Sequence, residues 1–578
     1  MINSIITALK RFTLRQYIIR LLSAWVMVLL FAFFYSDSEF TLKSFYENIS
    51  FPLFVIFTFV FFILTCLVER DEYITIGLIS GITVYFIFLS SYARDYMFSF
   101  GLCLVLCVAV VFSDMKRIKL RVDNRALWGL CISGIVIYTL VIGITCSLYY
   151  LNYRTSCFDF GIFTQMFYYM KETGECLTTC ERDGLLSHFA VHFSPIYYLL
   201  LPIYCLIPSP CTLLFAQGLI VASGAIPLLL ICKNHKLSNT ASLAFVFCYL
   251  LYPSFLGGCY YYLHENCFLA PLILWFIYFA EREQGLYAFI FAFLTLTVKE
   301  DAPVYVAVIA LYFLFANKNY KFNLFILIFS ILYFISVLRL MSVFGEGVMA
   351  DSRYGDYIYD GGGLFTVIKS VLQNPGFAIM QIFREEKILF VLQMAVPLCF
   401  LPFAVRKPSG LILLIPFLLV NLMTNYRYQY DIGFQYTFGS GAMLFYSAVV
   451  NCSSLPKNRG KVLLCAALCS LIVFMGSFFG KNAVFYDHIL DTEKRETINE
   501  AVSLIPEDAS LAASTFILPN VSHRRVVYEL ETTKNKADYY IFDLSRDTDE
   551  SDVTEFMGSD YETLFFEDGI VAVFRSVE

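Results

Sequence analysis

From near its start to about residue 480 the chain repeats one pattern, an apolar run cut off by a short polar or Pro/Gly-containing break. A helix needs roughly 20 apolar residues to cross the ~30 Å hydrocarbon core of a bilayer. Cutting at the breaks gives about 15 candidate spans, opening with Leu21–Tyr35, Phe51–Val68, Tyr73–Ser90 and Phe98–Phe112 and closing with Val462–Phe479. With 59% hydrophobic and 15% charged residues, against about 25% charged in soluble proteins, the chain has more apolar surface than a water-soluble core absorbs. Lys10, Arg11, Arg15 and Arg20 precede the first run and no small-residue cleavage site follows it, so it reads as an uncleaved anchor.

The loops orient the bundle. With a cytoplasmic N-terminus, the basic clusters Lys116–Arg121, Lys233–Lys236, 317–321, Arg406–Lys407 and Lys457–Lys461 all fall inside, as the positive-inside rule requires. The outside then holds the long loops 152–192 and 345–387, the turns 257–266, 299–301 and 425–435, and everything after Gly480. Pro195–Ile207 is apolar but short and Pro-interrupted, and reads as re-entrant or interfacial. From about Thr492 the pattern changes to a helix over Thr492–Leu504, then strands near 510–514, 525–528, 539–542 and 563–574, with a hairpin turn at Glu567-Asp568-Gly569. The expected fold is mainly α: a polytopic transmembrane helical bundle with a small C-terminal α/β extracytoplasmic domain. Residues 1–122 form the N-terminal spans, 123–480 the transmembrane core and 481–578 the soluble domain.

Polar residues between spans carry the candidate chemistry. Asp159, in the segment Cys157–Gln165, either caps the next helix or is a carboxylate made more basic by partial desolvation, able to take a proton from a hydroxyl. His188 and His192 stand at i and i+4, a spacing that shares a face on a helix. They are interfacial polar residues or a ligand pair, but the metalloprotease motif fails because Phe follows His188. His264 and Glu265 lie in a short turn, and Lys299, Glu300 and Asp301 in another. Ionisable groups so close to hydrocarbon are costly unless paired or hydrated, which makes them site candidates; the bland reading is a hairpin that reaches water. Arg353 and Arg427 offer forked donors for a lipid phosphate, or snorkel at the headgroups.

Most of the 18 cysteines lie in spans, where a thiol acts as a small apolar group. Cys157, Cys176 and Cys180, and Cys259 with Cys267, leave a disulfide open, while Cys-x3-Cys zinc binding lacks a second ligand pair. The sequence contains no phosphate-binding loop, dinucleotide fingerprint, Ser-His-Asp signature or internal repeat. No cofactor is demanded, a divalent metal is left open without assigned ligands, and no nucleic-acid partner is expected.

The order FDFGIFTQ, HFSP with PIY, LLFAQGLIVASGAIP, YPS with LHE, and VKEDAP, followed in the tail by IPEDASLAAS, HRRVVYEL and ADYYIFDL, resembles the predicted membrane proteins of domain of unknown function 2079. The likeness runs from Ala126 to Glu578 and leaves the four N-terminal spans outside. That family is similar to the GT-C class of membrane glycosyltransferases. The resemblance implies a helical bundle, a catalytic acid in the first long external loop at the place of Asp159, and a polyprenyl-phosphate sugar donor. The family pattern carries a second acid where this chain has Thr164, a departure that bears on any two-carboxylate or metal role. The expected activity is transfer of a sugar from that lipid-linked donor to a hydroxyl acceptor at the outer membrane face. Asp159 would be the base, and His188, His192, His264, Glu265, Lys299, Glu300, Asp301, Arg353 and Arg427 would bind substrate. The alternatives are a transporter or flippase for a lipid or small solute, and a surface protein whose tail binds a partner. Oligomeric state is not encoded in any motif.

Overall fold

A computed structural model describes residues 12–36, 49–113, 121–316, 318–345, 350–359, 363–455, 459–546, 553, 556–558 and 560–577. Lys10, Arg11, most of Lys116–Arg121, Asn317, Lys457, Asn458 and the first two of the three glycines 361–363 lie outside the described residues. Among those described, seven helices are long and apolar enough to cross a membrane: Leu14–Tyr35, Asp71–Ala93, Asn124–Leu151, Pro210–Asn234, Asn239–Tyr260, Tyr320–Phe344 and Arg459–Ser477. Four shorter apolar helices accompany them, Phe51–Leu67, Tyr96–Phe112, Gly285–Leu296 and Pro303–Phe315.

Of the about 15 expected spans, two are broken for a local reason, while those expected over 267–280 and 436–450 are the continuous helices Leu269–Glu281 and Phe438–Ser453. The run expected over 388–405 is a helix Glu385–Ala395 followed by two 3-10 turns, Val396–Leu398 and Leu401–Phe403. The run expected over 411–424 is a 3-10 segment Pro408–Leu414 and a π-helical turn Phe417–Leu422. Pro397, Pro402, Pro408 and Pro416 each remove a backbone donor and clash with the preceding turn, so a continuous α-helix cannot form.

The four N-terminal helices match the first four expected spans. Two of them, Asp71–Ala93 and Tyr96–Phe112, dock on Arg459–Ser477, whose Gly476 admits close approach: a Cβ there would lie 2.2 Å from Ser90 Oγ. Ser90 Oγ in turn lies 2.5 Å from Ser99 Oγ and donates to the Ile472 carbonyl at 3.0 Å. Small residues with a shared hydrogen bond are a common way for helices to associate in lipid, where apolar contact alone gives little preference.

After the last long apolar helix come the short helices Val484–Leu490 and Thr492–Ser503 and a five-stranded sheet: β3 Leu511–Ala513, β4 Val527–Glu529, β5 Tyr539–Asp543, β6 Tyr561–Glu567 and β7 Val571–Ser576, numbered after a two-strand ribbon, β1 Leu177–Thr178 with β2 Leu186–Ser187. The order is β4-β3-β5-β7-β6, with β3 parallel to β4 and β5 and the β6–β7 hairpin antiparallel. Gly569 turns that hairpin at φ +68°, a conformation costly for a residue with a Cβ.

This sheet shares one hydrophobic core with the first long loop. Ile498, Ala501, Leu511, Val527, Ile541 and Val573 pack with Tyr153, Cys157, Ile162 and Cys180. Gln165 clamps the two together. Its amide nitrogen donates to Thr179 Oγ1 at 2.8 Å and to the Arg524 carbonyl at 3.3 Å, and its oxygen accepts from the Thr179 N–H at 2.7 Å. Gln165→Ala leaves several of these buried groups without partners at a cost of about 1–3 kcal/mol. The expected result is a lower thermal midpoint in detergent and faster protease cleavage after residue 490.

Candidate functional site

Helix Asn124–Leu151 ends at Asn152, and the Cys157 N–H is pinned to the Thr515 carbonyl at 2.7 Å. Two residues on, Asp159 adopts φ +75°, ψ −70°, a γ-turn conformation that is rare and strained for a residue with a side chain. Helix Ile162–Thr173 starts immediately after. The simple helix-cap reading of Asp159 is therefore wrong: its side chain is turned to the turn that follows helix Asn239–Tyr260, where its Oδ2 lies 3.2 Å from His264 Nε2. Tyr261 adjoins the same carboxylate and favours its charge, the Tyr261 ring stacks on His264 at 5.8 Å and 11°, and Phe163 packs edge-on against the imidazole at 4.9 Å.

The next residue, Glu265, is fully enclosed. Its Oε1 accepts from Lys299 Nζ at 2.6 Å, and its Oε2 accepts from the Tyr197 hydroxyl at 2.6 Å and lies 3.5 Å from His264 Nδ1. A chain of alternating charge, Asp159–His264–Glu265–Lys299, thus joins the loop before helix Ile162–Thr173 to the turn before Pro303. In that turn Glu300 accepts from His192 Nδ1 at 2.9 Å and from the Phe193 N–H at 3.3 Å. Asp301 Oδ1 is buried without a hydrogen-bond partner among the described residues. Arg353 Nη2 donates to the Tyr436 hydroxyl at 3.3 Å, its guanidinium lies 3.9 Å from the centre of the Tyr426 ring, and its Nη1 is buried without such a partner.

These neighbours set the protonation states. Burial opposes charge on His264, but Asp159 and Glu265 overcome it and push its pKa up to about 9, so the ring is an imidazolium at neutral pH. Burial likewise raises Asp159, yet the charge of His264, 3.2 Å away, and the neighbouring Tyr261 leave it below its ordinary value. The expectation that desolvation makes Asp159 more basic is corrected on this point: the cation beside it outweighs the loss of water. Glu265 is held well below, against burial, mainly by Lys299. Asp301 goes the other way, to about 6, through burial and the charge of Glu300.

A cavity of about 300 Å³ opens beside this network. Its polar wall includes Lys299, Glu300, Asp301, Arg353 and Tyr436, and its apolar wall includes Phe334 and Leu338 of helix Tyr320–Phe344 together with Val367, Ile368, Leu419 and Met423. Asp301 offers a free oxygen to a cation. Glu265 and Glu300 already hold Lys299 and His192, so a divalent ion would have to displace those partners.

Nine of the ten residues singled out from sequence belong to this network or flank it. Arg427 does not: it is exposed on a 3-10 turn with its guanidinium over the Tyr428 ring at 5.6 Å, outside the cavity lining. His188 and His192 do not form a helical ligand pair either. The segment is a 3-10 turn, and His188 Nδ1 pairs with Glu181 at 2.9 Å while His192 takes Glu300. All eighteen cysteines are free, so the disulfide left open for the external cysteines is not formed in this structure. Glu181, Tyr197, Tyr261 and Tyr436 were missed. Tyrosine is abundant throughout the chain, and only the position of Tyr261, three residues before His264, hinted at a role.

The fold and the site define a multi-pass membrane protein with an ionised cluster enclosed at one end of its helical bundle, beside a small sheet domain. The family model described as predicted membrane protein (DUF2079) matches residues 147–569, and the chain belongs to that family. Among solved structures, ArnT from Cupriavidus metallidurans bound to undecaprenyl phosphate is similar with a TM-score of 0.47 and 11% identity, covering 76% of this chain and 98% of that one. The apo state of the same protein gives a TM-score of 0.42 at 11% identity, covering 77% and 98%. No curated protein matches the sequence.

Proposed function

We propose that this protein transfers a sugar from a polyprenyl-phosphate donor to a hydroxyl acceptor at the outer membrane face, with the N-terminus cytoplasmic and the sheet domain outside. The cavity carries the reading: one wall is apolar and accepts a lipid chain, while the other presents Lys299 and Arg353 to an anionic head. In the reaction the acceptor oxygen bonds the anomeric carbon as its proton passes to Asp159. The bond from that carbon to the phosphate oxygen breaks, and its electron pair leaves with the lipid phosphate. Lys299 and Arg353 stabilise the developing negative charge, and donors already in place need no reorganisation to do so. His264 keeps Asp159 ionised and aimed.

The direct test is binding of a polyprenyl phosphate to the full chain in lipid nanodiscs, with a polyprenol of equal length as control. The phosphate should bind more tightly, and Arg353→Ala should weaken it by about tenfold or more, as expected for a hydrogen bond to a charged group. Equal binding of the two lipids would overturn the reading.

Asp301 adds a pH dependence. Raised to about 6, it loses its charge as the pH falls through that value, which removes a negative group near Arg353 and Lys299. A polyprenyl phosphodiester, whose own charge does not change in this range, should bind more tightly at about pH 5 than at about pH 7.5. Asp301→Asn should abolish the difference.

A further inference from the structure

A second cluster lies away from this site, among helices of the N-terminal module and the core. Helix Tyr96–Phe112 carries Cys103 and Cys107, and helix Arg459–Ser477 carries Cys465 and Cys469. Each pair is spaced i, i+4 and so shares a helix face, and the two faces meet. Cys107 Sγ and Cys469 Sγ are 3.6 Å apart across 362 positions of sequence. Between them comes Cys399, at the corner after the 3-10 turn Val396–Leu398, where Cys399 and Phe400 both take left-handed backbone conformations, φ +47° and +57°. The sulfurs of Cys107, Cys399 and Cys469 all lie within 4.8 Å of one another, and Cys465 stands one turn before Cys469 on the same helix.

We propose that Cys107, Cys399 and Cys469, with Cys465 as a fourth donor, bind one thiophilic d10 metal ion, Zn²⁺ or Cu⁺, at the seam between the N-terminal helices and the core. Metal–sulfur bonds of about 2.3 Å in a tetrahedral site place sulfurs roughly 3.8 Å apart, so the observed spacing needs only small side-chain rotations. Soft sulfur donors without oxygen or nitrogen select such ions over Mg²⁺ or Ca²⁺. Binding transfers no electrons: each coordinating thiol releases one proton to solvent as its sulfur bonds the metal. Cys107 and Cys399 are only partly buried. The cluster lies in the half of the bundle nearer Arg406, Lys407 and Arg459, the expected cytoplasmic end, where reducing conditions keep thiols available. Helix Tyr96–Phe112 precedes the family match, which begins at residue 147, so the ion would fasten the N-terminal module to the family core.

The experiment uses the full chain in detergent, stripped of metal under reducing conditions and titrated separately with Zn²⁺ and with Cu⁺ against a competing chelator. One equivalent of at least one ion should bind. Cys107→Ser and Cys469→Ser should each weaken it by about tenfold or more, since losing even an outer partner of a ligand has that effect. Cys146→Ser, at a distant site, should leave it unchanged. If a variant does not fold, protection of Cys107 in the wild-type chain from maleimide by the bound ion serves instead. No binding of either ion, equal binding by folded variants, or alkylation of Cys107 unaffected by metal would each overturn the proposal.

Discussion

Asp159→Asn is expected to lower glycosyl transfer by about 10²–10⁴-fold, the usual range for loss of a general base, while the protein still folds. Asparagine tolerates positive φ better than most residues, and it keeps a carbonyl oxygen for Tyr261. It cannot accept the acceptor's proton. The readout is sugar transferred to acceptor by the purified full chain, or restoration of a missing surface sugar in cells lacking the gene; unimpaired transfer by the variant would remove Asp159 from the mechanism. The same substitution has a second signature. Asp159 is the strongest of the charges that raise His264 from 6.5 to about 9. A group raised on folding stabilises the native state fully below its unfolded pKa, and that contribution fades as the pH climbs through the folded value. Wild-type stability attributable to His264 should therefore fall between about pH 6.5 and pH 9, and Asp159→Asn should shrink that slope. A variant that loses activity but retains the slope would mean that the carboxylate does not hold the imidazolium.

The acidic and basic residues of the site were visible in the sequence because each interrupts an apolar run, where an ionised group is costly without a partner. What the sequence does not carry is who partners whom. His188 and His192 share helical spacing, but the chain around them is a 3-10 turn, and their carboxylates come from Glu181 in their own loop and Glu300 more than a hundred residues away. Arg427 and Arg353 look alike in sequence, both set among tyrosines, and only tertiary packing half-buries Arg353 and exposes Arg427. The C-terminal sheet domain was legible in its helix and in its hairpin at Gly569, since alternation and turn chemistry are local signals. The cysteines misled for the opposite reason: within a span a thiol is indistinguishable from a small apolar residue until the facing helix is known.

The largest stability effect should come from the Lys299–Glu265 pair, both side chains at most 5% exposed. Removing one partner of a buried ion pair leaves a charge in a medium that solvates it poorly, at a cost of about 3–5 kcal/mol. The two single variants are not equivalent. In Lys299→Met, Glu265 keeps the Tyr197 hydroxyl and the neighbouring imidazolium of His264, so its charge is still compensated. In Glu265→Gln, Lys299 is left with the face of the Tyr436 ring at 5.8 Å and with the carboxylates of its own turn, of which Glu300 is already engaged by His192. Glu265→Gln should therefore destabilise more, and should also let His264 lose one of the two charges that raise it. Combining both substitutions removes the unpaired charge, so the double variant should be more stable than the sum of the singles predicts, by about 1–3 kcal/mol of coupling. Thermal or denaturant unfolding of all four proteins in one detergent measures this cycle. Additive effects would show that the pair is incidental to the fold, whereas restored stability without restored transfer would show that Lys299 is kept for the anion it faces rather than for the carboxylate that holds it.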